Sequence, residues 1–256
     1  MEAETPRYGK THRIPLIDTV RGIMIFYVVF YHFLYDLLDF RLISPVWLTS
    51  TPMVIVHFIN FSIFISFSGI SCRLSRNNWK RGLRLLGAAY LVTLVTWVMD
   101  HGYYVRFGIL HLLGLSAILF AALESLRRLL AKRLPPLSEK AERVWDLVLP
   151  ALSLAAFFLT YFTVFSRSFD VEYLGWLGFR SADYASSDYF PVIPFFFLYL
   201  FGAFVGKHIV RGKFPAWFYT AHIPFFDRVG RHTIWIYLLH QPVLYGVAWL
   251  LYILKK

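Results

Sequence analysis

The chain has 256 residues, of which 58% are hydrophobic, 20% aromatic and only 16% charged. A soluble domain of this length does not need so much apolar surface, so the composition predicts a polytopic membrane protein. The net charge of +11 comes from short loops between apolar runs, without a nucleic-acid-binding motif, and we expect no nucleic-acid partner. The single cysteine, Cys72, excludes an internal disulfide and a cysteine-based zinc site.

Seven apolar runs have the length, roughly 17–25 residues, that crosses a bilayer as a helix. No internal repeat or long linker separates them. We therefore predict an all-α membrane helical bundle, with a cytoplasmic N-terminal segment over 1–15 and a single transmembrane domain over 16–253. The runs lie near 16–38, 52–72, 82–99, 106–125, 147–165, 190–208 and 232–253.

Charge alternates along the loops, which predicts the orientation of the chain. The N-terminal segment and the loops over 73–81 and 126–146 are basic, whereas the 166–189 loop is acidic on balance. Because basic loops stay in the cytoplasm, the N-terminus should be cytoplasmic and the 166–189 loop should face outward. The aromatic, proline-broken segment 213–227 reads as interfacial on the cytoplasmic side, with a re-entrant element as the alternative.

The first apolar run, LIDTVRGIMIFYVVFYHF, carries three ionisable residues: Asp18, Arg21 and His32. Arg21 and His32 are nearly three helical turns apart, so they share one face about 16 Å apart along the axis. Ionisable groups inside a span usually mark a functional interior face. The structural alternatives are that Arg21 snorkels to the surface or pairs with Asp18 at i, i+3, and that His32 bonds a neighbouring carbonyl.

Further histidines lie in other runs. By the predicted topology His32, His57 and His111 all sit about 8–9 Å below the outer surface. His240 lies near mid-membrane, beside Pro242, which removes a backbone hydrogen bond. An imidazole there can take a proton from an attacking hydroxyl or amine, or can itself be acylated. A merely structural role stays open for each histidine, and weighs most for His57.

Two polar stretches contain the remaining candidate binding residues. The basic RLSRNNWKRGLR, over 73–84, suits a phosphorylated cofactor arriving from the cytoplasm, although part of its charge is an orientation signal. No glycine-rich phosphate loop and no HExxH motif occurs. On the predicted outer side, SADYASSDYFP places Asp188 among carboxylates and tyrosines that suit a sugar, or are ordinary loop residues.

Gly202 and Gly206 form a small-xxx-small pair typical of helix packing.

Five segments in this order resemble the catalytic domain of the heparan-α-glucosaminide N-acetyltransferase family, in its bacterial branch. They are LIDTVRGIMIFYVVFYHF, FSGIS with the following RLSRNNWKRGLRLL, FGILHLLG, DYFPVIPFFFLYLFG and GRHTIWIYLLHQPVLY. The first and last also resemble the wider group of membrane acyltransferases that modify cell-surface sugars. The resemblance covers about 13 to 250.

The resemblance implies a membrane-bound acyltransferase that moves an acetyl or other acyl group from cytoplasmic acetyl-CoA to an extracytoplasmic sugar or glycoconjugate. His32 and Arg21 would match the catalytic pair, with His111 and Asp188 at the outer mouth. The implied location is the plasma membrane of a prokaryote, as a multi-pass protein. The residues implied to bind the donor are Arg73, Arg76, Lys80, Arg81, Arg84 and His240.

The chain departs from the lysosomal members, which have Asn where His32 stands, Gln where His111 stands, and an acetylated histidine in a loop missing here. This favours direct transfer assisted by His32 over an acetyl-histidine intermediate. No metal is expected to take part. The sequence leaves the acceptor, N- or O-acylation and the oligomeric state open, a homodimer being one option.

Two other functions compete with acyl transfer. A proton-coupled transporter or sensor would use Arg21, His32 and His240 as its pathway, although no repeat halves are evident. A haem or metal protein would use the three histidines of similar depth: His32, His57 and His111.

Overall fold

The computed structural model describes residues 13–102, 104–136, 138–171 and 173–256. Nearly all of the predicted cytoplasmic segment over 1–15 lies outside these residues. The described parts form ten α-helices and no β-strand, which confirms the all-α prediction. The helices are α1 (Pro15–Asp39), α2 (Val46–Thr49), α3 (Thr51–Leu74), α4 (Asn78–Met99), α5 (Ile109–Leu130), α6 (Glu139–Thr160), α7 (Val192–Val210), α8 (Ala216–Thr220), α9 (Pro224–Arg231) and α10 (Thr233–Lys255).

Seven of these helices are long and apolar enough to cross a membrane: α1, α3, α4, α5, α6 with its extension, α7 and α10. They coincide with the seven predicted runs. The extension of α6 is a π-helical turn, Tyr161–Phe165. The described residues thus contain the predicted number of membrane-type helices, seven, whereas the cytoplasmic position of the N-terminus stays a prediction.

The start of α6 differs most from the prediction, at Glu139 rather than near 147. The side chain of Ser138 accepts a hydrogen bond from the backbone N–H of Ala141 at 3.3 Å and caps the helix. Glu139 and Glu142 in the first turn favour the positive end of the helix dipole. These residues are polar, so a search for apolar runs misses the first turns of α6. Their start is determined by the capping residue instead.

The segment predicted as interfacial, 213–227, contains two of the short helices. It holds α8 and the beginning of α9, which continues to Arg231. Pro224 stands in the first turn of α9. The N–H groups of a first turn have no partner within the helix, so proline loses no hydrogen bond there.

The helices fall into two compact units, one over 65–213 and one over 13–64 with 214–256. Helix α3 contributes residues up to Phe64 to the latter and residues from Ile65 to the former. The single-domain boundary stays a prediction.

In the unit over 13–64 and 214–256, α9 crosses α1 with the two backbones almost touching. A Cβ atom on Gly22 would lie 2.0 Å from the carbonyl oxygen of Phe226, and one on Gly230 would lie 1.8 Å from that of Asp18. Thr19 Oγ1 accepts a hydrogen bond from the Ile223 N–H at 3.2 Å at this crossing. Glycine at both positions is what lets the helices approach so closely.

In the unit over 65–213, the end of α3 packs on α7 in the same way. A Cβ atom on Gly202 would lie 1.9 Å from the carbonyl oxygen of Ser66, and one on Gly69 would lie 2.0 Å from that of Tyr199. A Cβ on Gly206 would lie 3.1 Å from the Ile70 backbone. The prediction that Gly202 and Gly206 serve helix packing is confirmed.

Candidate functional site

Two of the predicted histidines meet in the unit over 13–64 and 214–256. The rings of His32, in the second half of α1, and His240, in the first half of α10, contact each other edge to face with centroids 5.0 Å apart. One turn further along α1, Asp36 accepts a hydrogen bond from Gln241 at 2.7 Å. Phe40, which directly follows α1, contacts Tyr245 with ring centroids 5.1 Å apart, so the contacts advance together along both helices and these parts of α1 and α10 run parallel.

The hydrogen bond of His240 determines which of its nitrogens is protonated. Nδ1 lies 2.6 Å from the carbonyl oxygen of Tyr237. A carbonyl only accepts, so Nδ1 carries the hydrogen and the neutral ring presents a lone pair at Nε2. Nε2 is buried and has no hydrogen-bond partner among the described residues. His240 therefore presents an unused acceptor to the interior of this unit.

His57 lies in the same unit but against tyrosines. Its ring stacks on Tyr31 with centroids 4.2 Å apart, and it also contacts Tyr27 at 6.2 Å. Its Nδ1 is buried without a partner in the described part of the chain. These contacts attach α3 to α1 through aromatic packing, together with a hydrogen bond from Tyr27 to Met53 Sδ at 3.5 Å.

Arg21 lies near the other end of α1 and pairs with Asp18. Arg21 Nη1 is 3.4 Å from Asp18 Oδ1, and Arg13 Nε is 3.2 Å from Asp18 Oδ2. Asp18 is buried, with 6% of its surface exposed. The i, i+3 pairing considered from the sequence is thus present, and it holds the guanidinium beside a carboxylate three helical turns from His32.

His111 lies in the unit over 65–213, at the start of α5, with both ring nitrogens occupied. Nδ1 accepts from the backbone N–H of Gly108 at 3.2 Å. Nε2 lies 3.2 Å from Thr93 Oγ1, whose own hydrogen goes to the carbonyl oxygen of Val105 at 2.8 Å. Nε2 must therefore be the donor, which fixes the tautomer. The ring, only 2% exposed, joins α4 to the first turn of α5.

Asp188 caps the same helix from a distant loop. Its Oδ2 accepts from the backbone N–H of Ile109 at 2.9 Å, where the helix dipole favours a negative charge. A Cβ atom on Gly108 would lie 2.2 Å from that oxygen, so a side chain there would displace the Asp188 carboxylate from the cap. Two of the predicted site residues, His111 and Asp188, are thus brought together at one helix terminus.

The basic stretch divides into bound and exposed cations. Arg73 donates to the Ala203 carbonyl oxygen at 2.9 Å and to Glu124 at 2.9 Å. Arg81 donates to Ser68 Oγ at 2.8 Å, and its Nη1 is buried without a partner among the described residues. The remaining three side chains are exposed around the N-terminus of α4, which Asn77 caps and which has no acidic residue in its first turn: Arg76, Lys80 and Arg84.

The 166–189 loop places tyrosines beside a guanidinium. Arg180 lies over the rings of Phe165 and Tyr189, at 5.8 Å from each, and Tyr184 contacts Tyr189 at 5.0 Å. Burial raises the pKa of Tyr184 and of Tyr189, so both hydroxyls stay protonated at neutral pH. The Tyr189 hydroxyl donates to the Gly175 carbonyl oxygen at 2.8 Å. The tyrosine pair is therefore part of a folded loop.

Comparison with known protein families shows what kind of protein carries these residues. The model for the catalytic part of heparan-alpha-glucosaminide N-acetyltransferase matches residues 13–134 and 142–242. The chain belongs to this family. No curated protein and no solved structure matches the chain.

Membership in the heparan-alpha-glucosaminide N-acetyltransferase family, together with seven membrane-type helices, makes the chain a multi-pass integral membrane protein of an acetyltransferase family. The matched residues include every predicted site residue, and the second stretch ends just beyond His240. Among the described residues no group of three His, Cys, Asp or Glu side chains is arranged to hold a metal ion.

Asp36 and Gln241 were missed by the sequence reasoning. A signal existed for Asp36, because a carboxylate inside an apolar run is rare and this one lies one turn after His32. Gln241 directly follows His240, but a glutamine gives no comparable signal. Their pairing, across 205 residues of sequence, could be found only from the fold.

Proposed function

We propose that the chain transfers an acetyl or other acyl group from cytoplasmic acyl-CoA to an extracytoplasmic sugar or glycoconjugate. Family membership supports the transferase class. The observation that carries the chemistry is the contact between the imidazoles of His32 and His240, whose rings are held 5.0 Å apart inside the apolar unit. Ionisable side chains between apolar helices are costly, and by default they mark a functional site.

In this proposal His32 acts on the acceptor. An acceptor hydroxyl or amine gives its proton to the imidazole and attacks the thioester carbonyl carbon. The carbon–sulfur bond then breaks, and the sulfur of the leaving CoA takes the proton from the imidazolium. Atoms and charge balance without another reactant. An acyl-imidazole of His32 is the two-step version of the same reaction.

The donor is bound through cations at the cytoplasmic side. Arg76, Lys80 and Arg84 are exposed around the capped N-terminus of α4, and helix N-termini favour phosphate. Arg73 and Arg81 bond backbone and side-chain oxygens of their own unit, so they fix the shape of the segment. We assign the phosphates of CoA to the three exposed cations.

Arg21 and the pair at the start of α5 have supporting roles. Arg21 supplies a positive charge at the donor end of α1, where Asp18 orients it. His111 and Asp188 use their polar atoms on backbone N–H groups of α5 and the turn before it. We therefore assign them the positioning of the outer mouth rather than a step of the reaction.

The test uses the full-length protein in nanodiscs with acetyl-CoA. We expect saturable binding of acetyl-CoA and slow release of CoA without an acceptor. Mass spectrometry of surface glycans from prokaryotic cells with and without the protein should reveal one lost acyl mass. A purified protein that neither binds nor hydrolyses acetyl-CoA would contradict the proposal, and pH-dependent flux into proteoliposomes without acyl donor would favour the transporter alternative.

A further inference from the structure

The contact between α1 and α10 holds a polar cluster to which the reaction described above gives no step: Asp36, Gln241 and His240. Asp36 is 2% exposed and His240 is 9% exposed, so both are buried. Gln241 Nε2 donates to Asp36 Oδ1 at 2.7 Å. A carboxylate oxygen only accepts, and this fixes the orientation of the Gln241 amide.

Three buried atoms of this cluster have no partner in the described part of the chain. They are Asp36 Oδ2, Gln241 Oε1 and His240 Nε2. With Asp36 ionised, the Gln241 amide oriented by it and Nδ1 of His240 bound to the Tyr237 carbonyl, all three are acceptors. Leaving one buried acceptor without a hydrogen bond costs about 1–3 kcal/mol. Three such acceptors on the bonded pair Asp36–Gln241 and the adjacent His240 call for a ligand that brings hydrogen-bond donors.

The chemistry of the cluster discriminates between the two substrates of the proposed reaction. Acyl-CoA carries several negative charges on its phosphates, which would oppose the Asp36 carboxylate, and the few N–H and O–H donors of its pantetheine arm are spread along an extended chain. A polyhydroxylated compound presents several O–H donors in a small volume. We propose that Asp36, Gln241 and His240 form a hydroxyl-binding subsite for the acyl acceptor.

This inference rests on the proposed function and changes one assignment within it. His240, placed by the resemblance among the donor-binding residues, moves to the acceptor side. Its neighbour His32 then lies against the bound acceptor, which is where a group that removes the acceptor's proton has to be. Asp36 and Gln241 are new members of the site.

The experiment measures the two substrates separately on nanodisc-embedded protein. Saturation-transfer NMR with methyl β-glucoside and methyl β-galactoside reports hydroxyl binding, and a titration with acetyl-CoA reports donor binding. Asp36→Asn replaces one acceptor by a donor, and we expect it to weaken glycoside binding about tenfold or more. Acetyl-CoA affinity should stay within about twofold. Gln241→Ala should act in the same direction.

The matched control is Asp39→Asn, which removes an exposed carboxylate from the same end of α1 and should change neither titration. Size-exclusion profiles and circular dichroism establish that each variant is folded. A wild-type protein that binds acetyl-CoA but neither glycoside overturns the subsite alone. Loss of acetyl-CoA affinity in folded Asp36→Asn or Gln241→Ala also overturns it, whereas a wild type without acetyl-CoA binding overturns the proposed function.

Discussion

The rings of His32 and His240 meet edge to face, with centroids 5.0 Å apart and planes inclined at 72°. The first belongs to α1 and the second to α10, at opposite ends of the sequence. Nδ1 of His240 donates its hydrogen to the Tyr237 carbonyl oxygen. Nε2 of the same ring is therefore an acceptor, and it has no hydrogen-bond partner among the described residues.

Replacing His32 by Ala should lower kcat for acyl transfer by about 100-fold or more, because general-base assistance contributes a factor of this size. The measurement is acetyl transfer from labelled acetyl-CoA by purified, folded protein. His222→Ala is the control, since His222 is exposed on the segment between α8 and α9. Equal activity of the His32→Ala variant and wild type would remove His32 from the mechanism.

Arg21 and Arg13 both pair with Asp18, so they form a matched pair for testing the donor-side charge. We expect Arg21→Ala to abolish acyl transfer and Arg13→Ala to leave most of it, because only Arg21 lies within the helix that carries His32. If the two variants lose activity equally, the shared effect is on Asp18 and Arg21 has no role of its own.

The exposed cations should affect donor binding only. Changing Arg76, Lys80 and Arg84 together to Gln should raise KM for acetyl-CoA about five- to tenfold and leave kcat unchanged, since exposed charge contacts contribute little individually. Added salt should raise KM in the wild type more than in the variant. Lys132→Gln with Arg133→Gln removes exposed cations from another loop and should leave KM unchanged.

His111 should prove a stability residue. His111→Ala leaves the Gly108 N–H and the Thr93 hydroxyl oxygen without their partner, and we expect a loss of about 1–3 kcal/mol of unfolding free energy. Thermal unfolding in detergent, followed by fluorescence-detected size exclusion, measures this. A variant as stable as wild type but inactive would instead give His111 a chemical role.

The helix crossing at Gly230 should not tolerate a side chain. Gly230→Ala would place Cβ 1.8 Å from the Asp18 carbonyl oxygen, forcing α9 away from α1, and we expect about 1–3 kcal/mol of destabilisation. In Gly246→Ala the added Cβ meets nothing within 4 Å, and alanine should be neutral or stabilise α10 by roughly 0.5–1 kcal/mol. Similar unfolding midpoints for both variants would contradict the close packing.

Much of the candidate site was predictable as a list of residues but not as an arrangement. His32 and Arg21 stand out because charge in an apolar run is conspicuous at the level of sequence. The sequence also raised the pairing of Arg21 with Asp18, since residues three apart are neighbours on any helix. The sequence did not distinguish His111 from His240, because both are histidines in apolar runs. In the structure both ring nitrogens of His111 are hydrogen-bonded, whereas Nε2 of His240 has no partner among the described residues.

The sequence by itself determined the seven spans and, through its five ordered segments, the family. Whether a stretch crosses a bilayer depends on the summed hydropathy of consecutive residues, which needs no knowledge of the rest of the chain. Only the tertiary structure decided that Asp36 bonds Gln241 across 205 residues, and that Asp188 caps α5. A hydrogen bond depends on positions within a few tenths of an ångström, and these are set by helix packing rather than by composition.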